Sequence, residues 1–360
     1  MNTPAAVVAR RAVARWEFVL VLLILAAGAW STTQSPFFLD ADNLLDLMKP
    51  YIFIGLMALG LTLVVIAGDI DISVASTLAV SVVVFADVWD HGLNIWLACI
   101  VGLLVGTGLG IVNGVLVGLL NLPSLAVTLG TLAAYRGVAF VILGGGGITG
   151  FPSDYTRLGI GYLGSSIVPL GLAFFVAVAA AFAVLLHATR FGRYVYAIGS
   201  NREAARFSGI PVDRVRVTLF AISGLMAAAG GLVYASYFAT ARADAATVAL
   251  LDVVAAVVLG GVNIFGGSGT ILGVFLAVVL IAVLRNGMGL ANIGGETQSI
   301  AIGALLLGAI LVGNVMRAGR EQDIGRRILD RLQRKGVPTR EAQATAGNPA
   351  TQQHRNHERS

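Results

Sequence analysis

Apolar runs of bilayer length or nearly so follow one another from Trp16 to Val315, separated by more polar stretches of varied length. Crossing a bilayer takes roughly 20 mostly apolar residues. Ten segments meet or approach that pattern, at 16–34, 51–67, 72–89, 94–119, 123–143, 166–187, 215–239, 249–264, 269–287 and 297–316. Several are short or interrupted by glycine. The pattern predicts an all-α membrane protein of about ten transmembrane helices, some of them broken. Composition agrees, because only 12% of the chain is charged, against about 25% in soluble domains. With 45 glycines in 360 residues, the predicted helices can also approach one another closely.

Charge orients the chain. Of 24 Lys and Arg residues, three precede the first span, six lie in the stretch 188–216, and ten follow from Arg317 onward. Placing all three groups on the cytoplasmic side satisfies the positive-inside rule, with both termini cytoplasmic. The expected organisation is an N-terminal segment at 1–15, a permease-like domain at 16–316 with a cytoplasmic loop at 188–216, and a basic, partly disordered tail at 317–360. Asp323 to Lys335 reads as a surface helix drawn to anionic lipid headgroups. An alternative is a signal peptide ending at Ala27-Gly28-Ala29. Cleavage there would leave the 188–216 loop on the same side.

That loop is the most hydrophilic island between spans. Within it, Ser200 and Glu203 have the spacing of a capping box at a helix start. Gly209 suits the left-handed position after the helix, and Pro211 prevents continuation. Ser200, Asn201, Arg202, Glu203, Arg206, Phe207 and Gly209 therefore predict a short, deliberately ended helix. A plain connector has no need of one, whereas a docking element for a cytosolic partner does.

The chain also repeats itself. Val64 to Leu78 aligns without gaps to Val257 to Ile271, and in each an apolar run gives way to a polar, glycine-containing break and then another apolar run. Asn113-Gly114 and Asn286-Gly287 follow in comparable places. The two repeats run parallel in this topology, and matching breaks in two halves point to a transporter's binding or gating region. Non-helical backbone at membrane depth has to be buried in protein or line a cavity. Asp69 and Asp71, each costing about 2.5–3.5 kcal/mol at a helix centre, belong at such a break, with both carboxylates on one side of an extended segment. Capping and gating suit them, with Ser73, better than catalysis.

Arg136 is an ionisable residue inside a span, placed to face an aqueous pathway or to pair with a carboxylate. Asn263, Asn286, Asn292 and Gln298 are uncharged hydrogen-bonding groups near span ends. Such groups suit a neutral polyhydroxylated solute, and they serve equally as helix caps. Cys99 is the single cysteine, and His91, His187, His354 and His357 are scattered, so no metal site or cofactor is expected. The glycine run 144–147 begins an outside loop able to meet an extracytoplasmic partner. It lacks the strand and helix of a phosphate cradle, and no Walker motif occurs anywhere. The charge distribution gives no reason to expect nucleic acid binding.

Four motifs in order resemble the permease subunits of bacterial monosaccharide ABC importers: Gly68 to Ser73, Thr128 to Gly137, Gly192 to Ile210 and Val258 to Gly269. The resemblance runs from about Trp16 to Val315 and is to the ribose/xylose/arabinose group. Leu284 to Asn292 and Phe191 to Tyr196 look most like rhamnose permeases, with autoinducer-2 permeases next. It implies a permease dimer, of two copies or of paralogues, a cytoplasmic ATP-binding subunit pair and a periplasmic sugar-binding protein. It further implies that Ser200 to Ile210 is a coupling helix seated in the ATPase, with Phe207 as its apolar anchor, and that the two breaks lie near the translocation path. Asp69 stands where many relatives carry glycine, which weakens its expected role beside that of Asp71. The rival reading is an ion-coupled carrier built on Asp69, Asp71 and Arg136. A membrane enzyme lacks any nucleophile–base or metal constellation.

Overall fold

The computed structural model describes residues 4–311, with side chains from Trp16 onward; the tail at 317–360 and the side chains of segment 1–15 lie outside the described residues. The chain forms one compact unit up to Leu306. In chain order its elements are α1 (Pro4–Gln34), α2 (Ala41–Asp46), α3 (Ile52–Ile66), α4 (Val74–Asp90) and α5 (Ile95–Gly114), which continues into a π-helical turn at Val115–Leu119. Next come α6 (Ser124–Leu143), β1 (Gly147–Thr149), α7 (Ser153–Ile160), α8 (Leu170–Ala188), α9 (Arg190–Ser200) and α10 (Arg202–Phe207). Then follow α11 (Val212–Phe238), β2 (Thr240–Arg242), α12 (Ala249–Leu259) and α13 (Ile271–Leu290), and last α14 (Gly295–Leu311).

Each of the ten expected spans coincides with a helix, and seven helical stretches are long and apolar enough to cross a membrane. The span expected at 249–264 is realised differently. Its helix, α12, has 11 residues, a rise of about 16 Å against a hydrocarbon core of about 30 Å. The helix fills the first part of that segment, and the rest, 260–264, belongs to the break that follows it.

The core follows from which helices are apolar on every face. Every residue of α3 is buried, as expected of a helix without a polar stripe. Around it, α11 packs against α3, α4, α5 and α7. The α5–α11 contact is built on a ladder of glycines at every fourth position: Gly102, Gly106, Gly110, Gly114 and Gly118. A Cβ on Gly110 would sit 2.3 Å from the Phe220 carbonyl oxygen, and one on Gly224 would sit 2.2 Å from that of Gly106. The two backbones touch because no side chain stands between them. On the far side, α1 is bonded into the bundle: the Trp16 indole donates to the Leu259 carbonyl at 2.8 Å, and Glu17 accepts from the Thr270 hydroxyl at 2.9 Å.

Candidate functional site at the meeting of two helix breaks

The aligned repeat is visible in backbone hydrogen bonds. α3 ends with Gly68 N–H donating to the Val65 carbonyl (2.9 Å) and Asp69 N–H to Val64 (3.1 Å). α12 ends with Gly261 N–H donating to Val258 (2.9 Å) and Val262 N–H to Val257 (3.3 Å). These are two Schellman caps at aligned positions, each with its glycine at φ +80°, a conformation that other residues adopt only under strain. The segments then diverge, since α4 restarts at Val74 and α13 only at Ile271. Asn113 and Asn286 prove not to be equivalent: Asn113 lies on the second helix after its break, Asn286 on the first.

The two breaks touch each other and the α9–α10 elbow. Gly267 N–H donates to the Ile66 carbonyl at 2.8 Å. A Cβ on Gly199, at the end of α9, would lie 1.8 Å from the Ile66 oxygen and 2.5 Å from the Gly267 nitrogen. Asn263 folds the second break on itself, its amide donating to the Gly266 carbonyl at 2.7 Å.

Asp69 locks this arrangement electrostatically. Its carboxylate is buried and accepts from Arg216 Nε (2.7 Å) and Nη2 (2.9 Å), and from Arg202 Nη2 (3.2 Å). Arg216, in the second turn of α11, is 2% exposed. One carboxylate therefore holds the first break to the first residue of α10 and to the start of α11. Side-on pairing of this kind is the strong, geometrically specific form of the Arg–carboxylate bond. The lesser weight given to Asp69 than to Asp71 is corrected here: Asp69 carries the ionic connections.

The short helix α10 exists as expected, but its start is shifted by one residue. Asn201, not Ser200, is the N-cap, its side chain accepting from Ala204 N–H at 2.9 Å; the Ser200 hydroxyl donates back to Tyr196. A cap needs extended backbone, and Ser200 still belongs to α9. The end follows expectation: Gly209 is left-handed at φ +79°, with Schellman bonds from Gly209 to Arg206 and from Ile210 to Ala205. Arg206 pairs with Asp213, Glu203 lies in the first turn of α10, and Phe207 projects outward with 92% of its surface exposed.

Asp71 is the hub of a separate hydrogen-bonded network. Its carboxylate accepts from Ser73 N–H (3.0 Å), the Ser73 hydroxyl (2.6 Å) and the Ser223 hydroxyl (2.8 Å). The Asn113 amide donates to Ser73 Oγ at 2.8 Å, and the Tyr135 phenol reaches Asn113 Oδ1 at 3.2 Å. Asp71, Ser73 and Asn113 thus come together, joined by Ser223 and Tyr135. As the alternation implied, Asp69 and Asp71 are both buried while Ile70 between them is 37% exposed.

Among the described residues Arg136 forms no ion pair with a carboxylate. It donates to the carbonyls of Ala243 (2.6 Å), Ala245 (3.0 Å) and Ala75 (3.2 Å). It thereby satisfies the unwound backbone between β2 and α12, which would otherwise be unpaired inside the bundle. The remaining expected residues lie toward the other end of α13. Asn286 exchanges amide hydrogen bonds with Asn43 (2.8 and 3.1 Å), Asn292 is left-handed just after α13, and Gln298 donates to the Ile293 carbonyl. None of the three touches the junction.

Four residues that matter escape the sequence reading. Arg216 reads as one more surface arginine, yet it is buried. Ser223 resembles any small residue of an apolar helix. Asp252 and Arg285 form a pair at 2.7 Å. Both lie inside expected spans, and a charge in an apolar run is itself the signal for a functional or paired group.

A comparison with protein families matches residues 43–312 to the family described as branched-chain amino acid transport system / permease component. The chain belongs to this family. The permease is similar to the autoinducer 2 import system permease protein LsrD of Klebsiella pneumoniae, 36% identical over 312 residues, covering 85% of this chain and 93% of that protein. LsrD of Salmonella typhimurium is 35% identical over 314 residues, covering 85% and 93%, and LsrD of Escherichia coli O9:H4 is 35% identical over 314 residues, covering 85% and 94%. No solved structure matches. The permease is a multi-pass transport component of the importer group that its motifs resemble, and not an enzyme.

Proposed function

We propose that this permease carries a small, neutral, polyhydroxylated solute into the cytoplasm as the membrane subunit of an ATP-driven importer, with α10 as the docking element for a cytoplasmic ATP-binding subunit. One observation carries the reading: Phe207 is 92% exposed at the end of a helix whose first residue is bonded, through Asp69, to the helix break behind it. A pull on α10 would act on Asp69, on Arg216, and through the Gly199 contact on both breaks. Nucleotide state can shift the membrane part only if the ATP-binding subunit binds its conformations unequally, and this linkage supplies a path for the difference. Against the ion-coupled alternative, Asp69 is held by two arginines and Arg136 by three backbone carbonyls.

In this reading both termini and the 188–216 loop are cytoplasmic, and 16–316 is the permease domain. The loop after Gly147 meets a periplasmic binding protein, and a second copy or a paralogue completes the transporter. The named relatives favour a solute of the autoinducer 2 kind over rhamnose. Copurification from the native host in mild detergent tests the docking claim. Exposed aromatic anchors at interfaces are worth about 2 kcal/mol or more, so Phe207→Glu is expected to weaken capture of the ATP-binding subunit about 30-fold while the permease stays inserted. Undiminished capture by Phe207→Glu would overturn the assignment.

A further inference from the structure

The pair formed by Asp252 and Arg285 is built differently from the one at the junction. Arg285 Nη2 donates to Asp252 Oδ1 at 2.7 Å, Nη1 reaches Gln298 Oε1 at a long 3.3 Å, and Nε is buried without an acceptor among the described residues. Both side chains are nearly enclosed, at 11% and 5% exposure. The Tyr51 phenol lies in the field of both charges. Arg216, by contrast, uses Nε and Nη2 together on Asp69. The same chain therefore contains a completed side-on fork and a half-used one. A buried N–H without an acceptor costs about 1–3 kcal/mol, and such groups in native proteins call for an explanation.

We propose that Arg285 and Asp252, with Gln298 and Tyr51 beside them, form a solute-recognition point that takes two neighbouring hydroxyls of a neutral polyhydroxylated solute. One hydroxyl oxygen accepts from Arg285 Nε while the adjacent hydroxyl donates to the Asp252 carboxylate. The charge balance selects the class. An anion would be repelled by Asp252 and a cation by Arg285, whereas hydroxyls are neutral and can both accept and donate. The inference rests on the permease reading, and it adds which residues within the membrane part read the solute.

The test is uptake of labelled autoinducer 2 and of L-rhamnose, each against an analogue lacking one hydroxyl of a neighbouring pair, in cells expressing the whole transporter. Arg285→Lys keeps the positive charge beside Asp252 and removes Nε. It is expected to insert at the wild-type level, to raise the uptake KM at least about tenfold, and to lose discrimination against the deoxy analogue. Asp252→Asn is expected to do the same. Uptake within twofold of wild type in both variants would overturn the proposal. So would restoration of uptake by the charge-swapped pair Asp252→Arg with Arg285→Asp, because a purely structural bridge tolerates the swap. If the wild-type system imports neither solute, the polyhydroxylated-solute reading on which the proposal rests fails, which the wild-type control shows separately.

Discussion

Asp69→Asn is expected to abolish uptake and to lower the melting temperature of the detergent-purified permease by many degrees. The substitution preserves shape and removes the charge that two guanidiniums share. Arg216, at 2% exposure, would be left as an uncompensated buried cation, and breaking a buried pair in this way costs about 3–5 kcal/mol. A companion variant separates coupling from stability. Arg202 is 39% exposed at its side chain, so Arg202→Met should melt close to wild type, since exposed ion pairs contribute about 0–1 kcal/mol. It should nevertheless impair uptake, because it cuts the bond from α10 to the break. Wild-type melting and uptake in Asp69→Asn would show that the triad is dispensable, and normal uptake in Arg202→Met would remove it from the coupling path.

The second large effect is expected at the glycine ladder. In Gly110→Val the new Cβ would meet the Phe220 carbonyl oxygen at 2.3 Å, with the Gly224 Cα at 3.1 Å. The obstacle is backbone, so no change of rotamer relieves it, and α5 and α11 have to separate. Overpacking costs about 1–3 kcal/mol where side chains can yield, and here the loss should reach or exceed the upper end. Size-exclusion profiles in detergent should show aggregate in place of a single peak. Gly108→Ala provides the control, because a Cβ there meets nothing within 4 Å. An intact peak for Gly110→Val would mean that the helices are not in backbone contact.

Most of the fold was legible because a bilayer makes hydropathy decisive: the apolar runs gave the helices, and paired glycines gave the breaks. The length of α12 was not legible, because Val262 and Ile264 carry the apolar pattern on past the left-handed Gly261 that ends the helix. The site was legible in parts. Gly209 announced its own conformation, whereas the N-cap slipped from Ser200 to Asn201 because neighbouring polar residues compete and the backbone decides. Partners far apart in sequence were invisible to periodicity: Asp69 meets Arg216 across 147 residues, and Asn43 meets Asn286 across 243. Arg136 illustrates a further limit, since a cation in a span suggests a carboxylate or a pathway, and its acceptors turned out to be peptide carbonyls that no sequence marks.

The contact of Gly199 with Ile66 and Gly267 has a mechanical consequence. Side chains act as springs between elements, because they rotate and absorb small displacements before passing them on. Here main chain rests on main chain from three directions, so the joint has almost no play. A movement of α9 smaller than a bond length must be taken up by the end of α3 and the segment between α12 and α13 together, which makes the elbow a stiff lever and the two glycine-capped breaks its paired fulcrums.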